Sequence, residues 1–85
     1  MAVVEKITQN QVKLMRLLLN LNRETPRKEI IQHLKFNPTS LQFAIKPIDG
    51  YFLNVKKEGN KDFLSLTDAG EMAINAFNLA NVTNS

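Results

Sequence analysis

The sequence predicts an α+β fold in which a core of three helices is followed by a two-stranded hairpin and a C-terminal helix. Three observations support this prediction. Residues that favour helix starts precede four apolar segments, apolar residues recur at helical spacing within them, and a β-prone stretch with its own turn lies between the third and the fourth. The predicted helices, within one domain of residues 1–85, cover residues 8–23, 26–35, 38–47 and 68–80, and the hairpin covers residues 51–66.

The first helix begins with a strong capping signal. Thr8 is a favourable N-cap residue, and Gln11, three residues later, completes a capping-box pattern. The apolar residues that follow span an arc wider than one amphipathic stripe; they are Val12, Leu14, Met15, Leu17, Leu18, Leu19 and Leu21. We therefore expect either a central helix packed on two sides or one that also supplies a dimer surface. Val3, Val4 and Ile7 would form a short strand or a packing arm before it.

The second and third helices each begin with a capping residue followed by proline. Thr25 caps the second helix, and Pro26 takes its first position, where the missing N–H costs nothing. Asn37 and Pro38 repeat this pattern in the third helix, which Pro47 should end or kink early. The inward stripe of the third helix is predicted to contain Leu41, Ala44, Ile45 and Ile48.

Turn residues bound the predicted hairpin. The dipeptide Asp49-Gly50 marks a turn before the first strand, and residues 58–60 supply the turn between the strands. Alternation along the first strand places Leu53 and Val55 on one face. The opposite face is predicted to carry Phe52, Asn54 and Lys56. Two strands alone are marginally stable in water, so the hairpin must pack against the helices.

Thr67 is predicted to cap the last helix, in which Asp68 and Glu71 favour the positive end of the helix dipole. Gly70 lies inside this helix, where glycine costs up to about 1 kcal/mol relative to alanine. We expect a close approach to another backbone, that of the first helix, to compensate. The polar tail should be frayed. Apolar residues that can share one face of this helix are Met72, Ala73, Ala76, Phe77 and Ala80.

Two capped helices joined by a short turn are the signature of a helix-turn-helix, and the added hairpin makes the pattern winged. Residues 64–71, LSLTDAGE, resemble the end of the wing in the MarR, ArsR and PadR families, where a strand ends in Leu-Thr and a glycine lies one turn into the next helix. Residues 25–79 thus resemble a winged helix-turn-helix of this type. The resemblance implies that residues 38–46 are a recognition helix in the DNA major groove and that residues 56–61 are a wing near the minor groove or backbone. The chain differs from these families in its shorter recognition helix and in the lack of arginine on that helix's outward face.

Candidate DNA-binding residues lie at three places in this pattern. Side chains on the outward face of the recognition helix can contact base edges, phosphates or a thymine methyl group. Basic residues on the wing and at the start of the second helix can contact phosphates. The predicted set is Thr39, Ser40, Gln42, Phe43 and Lys46 on the recognition helix, Lys56, Lys57 and Lys61 on the wing, and Arg27 and Lys28 on the second helix.

Each of these groups has a structural alternative. Thr39 and Ser40 would merely complete the helix cap, and the wing lysines would only keep an edge hairpin soluble. The basic start of the second helix would pair with Glu24 or Glu29 in solvent. A solvent-facing Phe43 indicates a ligand contact, a protein interface or an error in the assumed helical phase.

Composition excludes several classes of function. The sequence has no cysteine, which removes disulfides, thiolate metal sites and cysteine nucleophiles. The single histidine, His33, has no cluster of ligands near it in sequence and is expected to be a partly buried helix residue rather than a metal ligand. No glycine-rich loop is suited to cradle phosphates. We therefore predict no enzyme activity, no metal and no cofactor.

Charge and hydropathy bear on partners and location. The formal net charge is +3 and the pI about 9.5, which permits a polyanionic partner. No apolar run approaches the ~20 residues needed to cross a bilayer. Glu5 interrupts the apolar segment that a signal peptide would need. The sequence therefore predicts a cytoplasmic protein with no membrane partner.

The sequence favours a regulator of transcription that binds specific double-stranded DNA through its recognition helix and basic wing. Many such proteins act as two-fold dimers, so a homodimer is considered, with contact through the first helix or through the arm at Val3 and Val4 together with the C-terminal helix. The alternative is a winged-helix adaptor that binds proteins and no nucleic acid. Phe43 and the short recognition helix favour that alternative.

Overall fold

Four helices and a three-stranded antiparallel sheet make up residues 7–84, the part of the chain that this computed structural model describes. In chain order the elements are α1 (Gln9–Leu21), β1 (Thr25–Pro26), α2 (Arg27–Leu34), α3 (Pro38–Ile45), a 3₁₀ turn (Lys46–Ile48), β2 (Leu53–Glu58), β3 (Lys61–Leu66) and α4 (Asp68–Asn84). No helix within residues 7–84 is long and apolar enough to span a membrane. The arm predicted at Val3 and Val4 lies outside the described residues.

α1 is the central helix of the fold. Its predicted capping box is confirmed, because the backbone N–H of Thr8 donates to Gln11 Oε1 (2.9 Å) and the backbone N–H of Gln11 donates to Thr8 Oγ1 (3.2 Å). Gln11 is buried, and its Nε2 donates to the carbonyl of Ala44 (3.2 Å), which joins the start of α1 to the end of α3. Leu14 and Met15 are fully buried, and α1 contacts α2, α3, α4 and β3. Packing on several sides thus explains the wide apolar arc.

One hydrophobic core holds these elements together. Its largest fully buried apolar side chains come from every helix and from both strands of the hairpin: Leu14, Met15, Ile30, Leu41, Leu53, Leu64 and Ile74. Burying one such side chain contributes roughly 1.5–3 kcal/mol, whereas a helix cap contributes about 1 kcal/mol. Core packing therefore supplies more of the stabilising free energy than the caps do.

β1 is a two-residue edge strand that the sequence analysis did not predict. The strand order is β1-β3-β2, with Thr25 opposite Leu64 and Pro26 opposite Phe63. Proline is tolerated at an edge because its missing N–H breaks no ladder there. The prediction that Thr25 caps the second helix is wrong, because Thr25 is fully buried in β1 and its hydroxyl donates to the carbonyl of Arg23 (3.0 Å). Pro26 is instead the N-cap residue of α2, without a side-chain hydrogen bond.

The hairpin begins later than predicted. β2 starts at Leu53, because Tyr51 and Phe52 form a turn in which the N–H of Phe52 donates to the carbonyl of Ile48 (3.0 Å). Phe52 is consequently only 5% exposed, and the prediction that it shares a strand face with Asn54 and Lys56 is wrong, since both of those residues are exposed. Gly59 takes the first position of the two-residue turn between β2 and β3 with a φ of +62°, a conformation that favours glycine.

Thr67 and Gly70 attach the hairpin to α4. The N–H of Gly70 donates to Thr67 Oγ1 (3.0 Å), as predicted for a capping residue, and the N–H of Thr67 donates to the carbonyl of Phe52 (3.0 Å). A Cβ atom on Gly70 would lie 2.1 Å from that same carbonyl oxygen, which is far inside van der Waals contact. The predicted close backbone approach is confirmed. The prediction that α1 supplies it is wrong, since the partner is the residue before β2.

Gly70 also sets the orientation of α4. Residues three, four and seven positions after it share its side of the helix. The side chains that pack inward are those of Ala73, Ile74 and Phe77. Met72 and Ala76 are exposed, so the prediction that they share one face with Ala73 and Phe77 is wrong. The side chain of Ala80 lies outside the described side chains. α4 extends to Asn84, beyond the predicted bound of residue 80, and no glycine or proline follows Gly70 to end it earlier.

Replacing Gly70 with alanine should destabilise the fold. The added methyl group would overlap the Phe52 carbonyl, which is backbone and cannot rotate away, so we expect the free energy of unfolding to fall by about 2–3 kcal/mol. Urea denaturation followed by circular dichroism measures this loss. Helix propensity alone favours alanine by up to about 1 kcal/mol, and Ala76→Gly at an exposed position of α4 measures that term. A Gly70→Ala protein as stable as the parent would show that the close approach is dispensable.

Candidate nucleic-acid interface

The buried stripe of α3 determines which of its residues face solvent. The Asn37 side chain caps the helix by accepting a hydrogen bond from the N–H of Ser40 (2.7 Å), and Pro38 occupies the first turn. α3 ends at Ile45, before the predicted bound of residue 47, because the 3₁₀ turn that contains Pro47 takes over. The predicted inward stripe is confirmed, with at most 5% exposure for Leu41, Ala44, Ile45 and Ile48.

The other α3 positions form an exposed surface. Thr39 and Gln42 are exposed, and Ser40 is half-buried. The cap uses the Asn37 side chain and a backbone N–H, so the hydroxyls of Thr39 and Ser40 are not part of it. Phe43 is 71% exposed, which means that the assumed helical phase is right. The ring of Phe43 is therefore accessible to a partner rather than part of the core.

Arg27 joins α3 to the hairpin. Its Nη2 donates to Gln42 Oε1 (3.1 Å) and lies 3.3 Å from Asp62 Oδ2. The pairing of β1 with β3 brings this about, because Pro26 is opposite Phe63 and Arg27 therefore follows beside Asp62. Asp62 is not among the residues predicted for the site. The signal that could have found it is an acidic residue among the wing lysines.

The contacts of Arg27 contribute orientation more than stability. The side chains of Arg27 and Asp62 are 28% and 26% exposed, so water screens part of their attraction. A hydrogen bond to a charged group contributes roughly 1.5–3 kcal/mol. However, Arg27 Nε is buried without a hydrogen-bond partner among the described residues, which costs roughly 1–3 kcal/mol. The favourable free energy of the hydrogen bond and the cost of the unpaired Nε are similar in size. The main effect of Arg27 is therefore to fix Gln42 relative to the hairpin.

Strand pairing divides the wing lysines between the two faces of the hairpin. Lys57 lies opposite Asp62, so the two side chains share one face of the hairpin, and this is the face that packs toward the core. Lys56 lies on the other face, where its Nζ is 3.4 Å from Glu58 Oε2 and 4.0 Å from Glu24 Oε1. The charge of Lys56 is thus partly compensated within the chain, and Lys57 projects on the side where Arg27 meets α3.

Several predicted DNA-binding lysines are free of ion pairs. Those that are exposed and pair with no carboxylate of the described residues are Lys28, Lys46, Lys57 and Lys61. The alternative in which the start of α2 pairs with Glu24 or Glu29 is wrong, because Glu24 lies near Lys56 and Glu29 pairs with Arg23. These lysines can therefore meet an anion without first breaking an ion pair.

Arg23 and Glu29 form an ion pair with 2.5 Å between Nη2 and Oε2. The hydrogen bond from Arg23 holds the pKa of the Glu29 carboxyl below its ordinary value, and the same bond raises the pKa of Arg23. His33 Nε2 lies 3.7 Å from Glu29 Oε2. His33 lies in a helix as predicted, and its side chain is 50% exposed, so half of it is covered by the protein. It lies one helical turn after Glu29 on the solvent side of α2.

The stabilising effect of Glu29 should disappear in acid. Because its pKa is lower in the folded state, the carboxylate stabilises the fold above its unfolded pKa of about 4.3 and loses that effect as the pH falls through the folded-state pKa. We expect Glu29→Gln to lower the free energy of unfolding near pH 7, and the difference from the parent to shrink below about pH 4. Urea denaturation of both proteins along a pH series measures this. A difference that does not change with pH would contradict the assigned ion pair.

An open cleft of about 150 Å³ lies between the end of α1 and the junction of β3 with α4, with Leu18, Asn22, Leu66 and Glu71 in its lining. Sites for drug-sized ligands typically have volumes of roughly 300–1,000 Å³. The cleft is therefore too small for such a ligand. The surface that α3 and the hairpin form is the candidate functional site.

Comparison of the chain with family models, with curated proteins and with solved structures finds no match. The arrangement of four helices and a three-stranded antiparallel sheet within residues 7–84 is compatible with a winged helix. The resemblance of residues 64–71 to the MarR, ArsR and PadR families stays a prediction.

Proposed function

We propose that this chain is a winged helix-turn-helix domain that binds specific sequences of double-stranded DNA and regulates transcription. α2 and α3 would form the helix-turn-helix, and β2 and β3 the wing. The observation that carries the proposal is the contact of Arg27 with Gln42 on α3 and with Asp62 on β3, which holds the exposed side of α3 next to the hairpin. Such a surface offers base-reading side chains and phosphate-binding lysines to the same duplex.

In the proposed complex α3 enters the major groove. Thr39, Gln42 and Phe43 supply a hydroxyl, an amide and an apolar ring, which are groups that contact base edges. α3 carries no arginine, so this helix cannot itself supply the most frequent contact to guanine, a bidentate guanidinium. Base reading would then depend on the amide and the ring.

Phosphate contacts would come chiefly from lysines without ion pairs. These are Lys28 on α2, Lys46 after α3, and Lys57 and Lys61 on the hairpin. Lys56 and Arg27 each lie beside a carboxylate, so we expect them to contribute less to phosphate binding. Contacts of this kind position the domain and supply affinity that does not depend on sequence.

The double substitution Lys57→Gln and Lys61→Gln should weaken binding to mixed-sequence duplex DNA and reduce its dependence on salt. Each phosphate contact adds about 0.9 to the slope of log K against log salt concentration, so the loss of two contacts should lower that slope by about 1.8. Fluorescence anisotropy titrations between about 50 and 200 mM salt measure both the affinity and the slope.

A second double variant, Lys13→Gln with Lys35→Gln, is the matched control, because it removes the same charge from exposed positions outside α3 and the hairpin. It should leave the slope nearly unchanged. The single variant Lys56→Gln should weaken binding less than Lys57→Gln or Lys61→Gln alone, because Lys56 already lies near two carboxylates. Equal losses in the two double variants would mean that net charge alone drives binding. If the parent protein does not bind duplex DNA near 50 mM salt, the proposed function is wrong.

The second candidate function is a winged-helix adaptor that binds a protein. The exposed ring of Phe43 favours it, since aromatic residues are enriched at protein interfaces. Tyr51 is also 58% exposed and stacks on Phe52 with 4.9 Å between the ring centroids. An adaptor predicts that the parent protein binds no duplex DNA at low salt, so the titrations above distinguish the two functions.

The predicted homodimer stays a prediction. Most apolar side chains of α1, which was one surface considered for it, are buried or packed against the core. α4 offers exposed apolar surface instead, including Met72 at 73% exposure. If α4 carries a two-fold contact, Met72→Glu should shift a dimer to monomer in sedimentation velocity, while Asn75→Glu, at another exposed α4 position, serves as the charge control. A monomeric parent protein at high concentration would rule the dimer out.

A further inference from the structure

We propose that Gln42 and Phe43 together recognise a thymine in the major groove, and that Arg27 is the positioning residue that sets the amide of Gln42 for this task. The inference rests on the proposed DNA-binding function and names the base that the surface would select. It starts from three observations: the hydrogen bond from Arg27 to Gln42, the anchoring of Arg27 by Asp62, and the exposed ring of Phe43.

The amide of Gln42 has a defined orientation. A guanidinium group carries donors and no acceptor, so the Gln42 atom that faces Arg27 Nη2 at 3.1 Å must be the carbonyl oxygen Oε1. Asp62 Oδ2 lies 3.3 Å from the same nitrogen, which keeps the guanidinium from turning away. The NH₂ group of Gln42 is therefore left to face solvent as a donor.

This orientation disfavours adenine. A glutamine recognises adenine by accepting from its N6 amino group with the same amide that donates to N7. In this protein Oε1 already accepts from Arg27, and the positive guanidinium next to it repels the amino hydrogens of adenine. The free NH₂ group instead suits an acceptor in the major groove, which is O4 of thymine or O6 and N7 of guanine.

Phe43 distinguishes between these two acceptors. It follows Gln42 directly in α3 and is 71% exposed, so both side chains project from the exposed side of the helix, roughly 100° apart around its axis. Thymine carries a methyl group next to O4, and guanine has no such group. A base that offers an acceptor and a methyl group side by side matches the donor and the ring, and thymine is that base.

The first test uses the unaltered chain. Selection from a random duplex library should enrich an A·T pair at a position whose preference is lost in the Phe43→Ala variant. Deoxyuridine, which lacks only the methyl group, is then placed at that thymine. We expect the parent protein to bind the deoxyuridine duplex roughly fourfold more weakly, the factor that corresponds to burying one methyl group. Phe43→Ala should bind both duplexes equally.

The second test addresses Arg27. In Arg27→Met the amide of Gln42 is free to rotate, so the preference for thymine over adenine at that position should relax. Lys28→Met, on the next residue of α2, removes the same charge and should lower affinity without changing base preference. If Arg27 only stabilised the fold, its substitution would leave the base preference unchanged, so a change in base preference shows that it positions Gln42. Circular dichroism of both variants confirms that each is folded.

The outcomes separate this inference from the function on which it rests. Equal binding of thymine and deoxyuridine duplexes by the parent protein overturns it, as does an unchanged base preference in Arg27→Met. Salt-dependent duplex binding without any thymine preference also overturns it and leaves DNA binding in place. If the parent protein binds no duplex near 50 mM salt, both the function and the inference fail.

Discussion

The contact between Gly70 and the carbonyl of Phe52 fixes the direction of the hairpin. Thr67 reinforces it with two hydrogen bonds, from its N–H to the Phe52 carbonyl (3.0 Å) and from its hydroxyl to the Tyr51 carbonyl (2.8 Å). A two-stranded hairpin has little stability of its own, so these contacts at its base determine where its tip lies. The same glycine determines which side of α4 enters the core. The glycine of the motif LTDAG therefore has a steric explanation: α4 can approach the hairpin this closely only at a residue that has no Cβ atom.

Arg27 supplies the second attachment, and it acts on the side of the hairpin that faces α3. Because β1 pairs with β3, the first residue of α2 lies beside Asp62 and within reach of Gln42. The main consequence of the two-residue edge strand is thus the position of Arg27 in the candidate site, since it adds little to the sheet itself. The base of the hairpin is thus attached to α4, and Asp62, near the tip, is joined through Arg27 to α3, so the backbone at Lys57 is held on the side of α3.

The helices could be predicted from signals between residues close in sequence, whereas contacts between residues distant in sequence could not be predicted. The capping box of Thr8 and Gln11 and the cap at Asn37 depend on residues three apart, so the sequence indicated them correctly. Thr25 also carries a strong capping signal, but pairing with a strand some forty positions later overrides it. The candidate surface followed from helical phase, which the exposure of Phe43 confirms. The link that joins Arg27 to Asp62 depends on strand register, which a pattern of residue types does not encode.

The distribution of charge separates affinity from specificity on the proposed interface. Arg23, Arg27 and Lys56 form ion pairs within the chain. The uncompensated positive charge of the proposed interface therefore comes from lysines at the edges of that interface. Lysine contacts to phosphate are insensitive to sequence and weaken with salt. Discrimination between sequences must then come from the few exposed groups between those lysines. Because Arg27 holds the Gln42 amide in one orientation, the base preference that we propose would be set in the folded protein before it binds DNA.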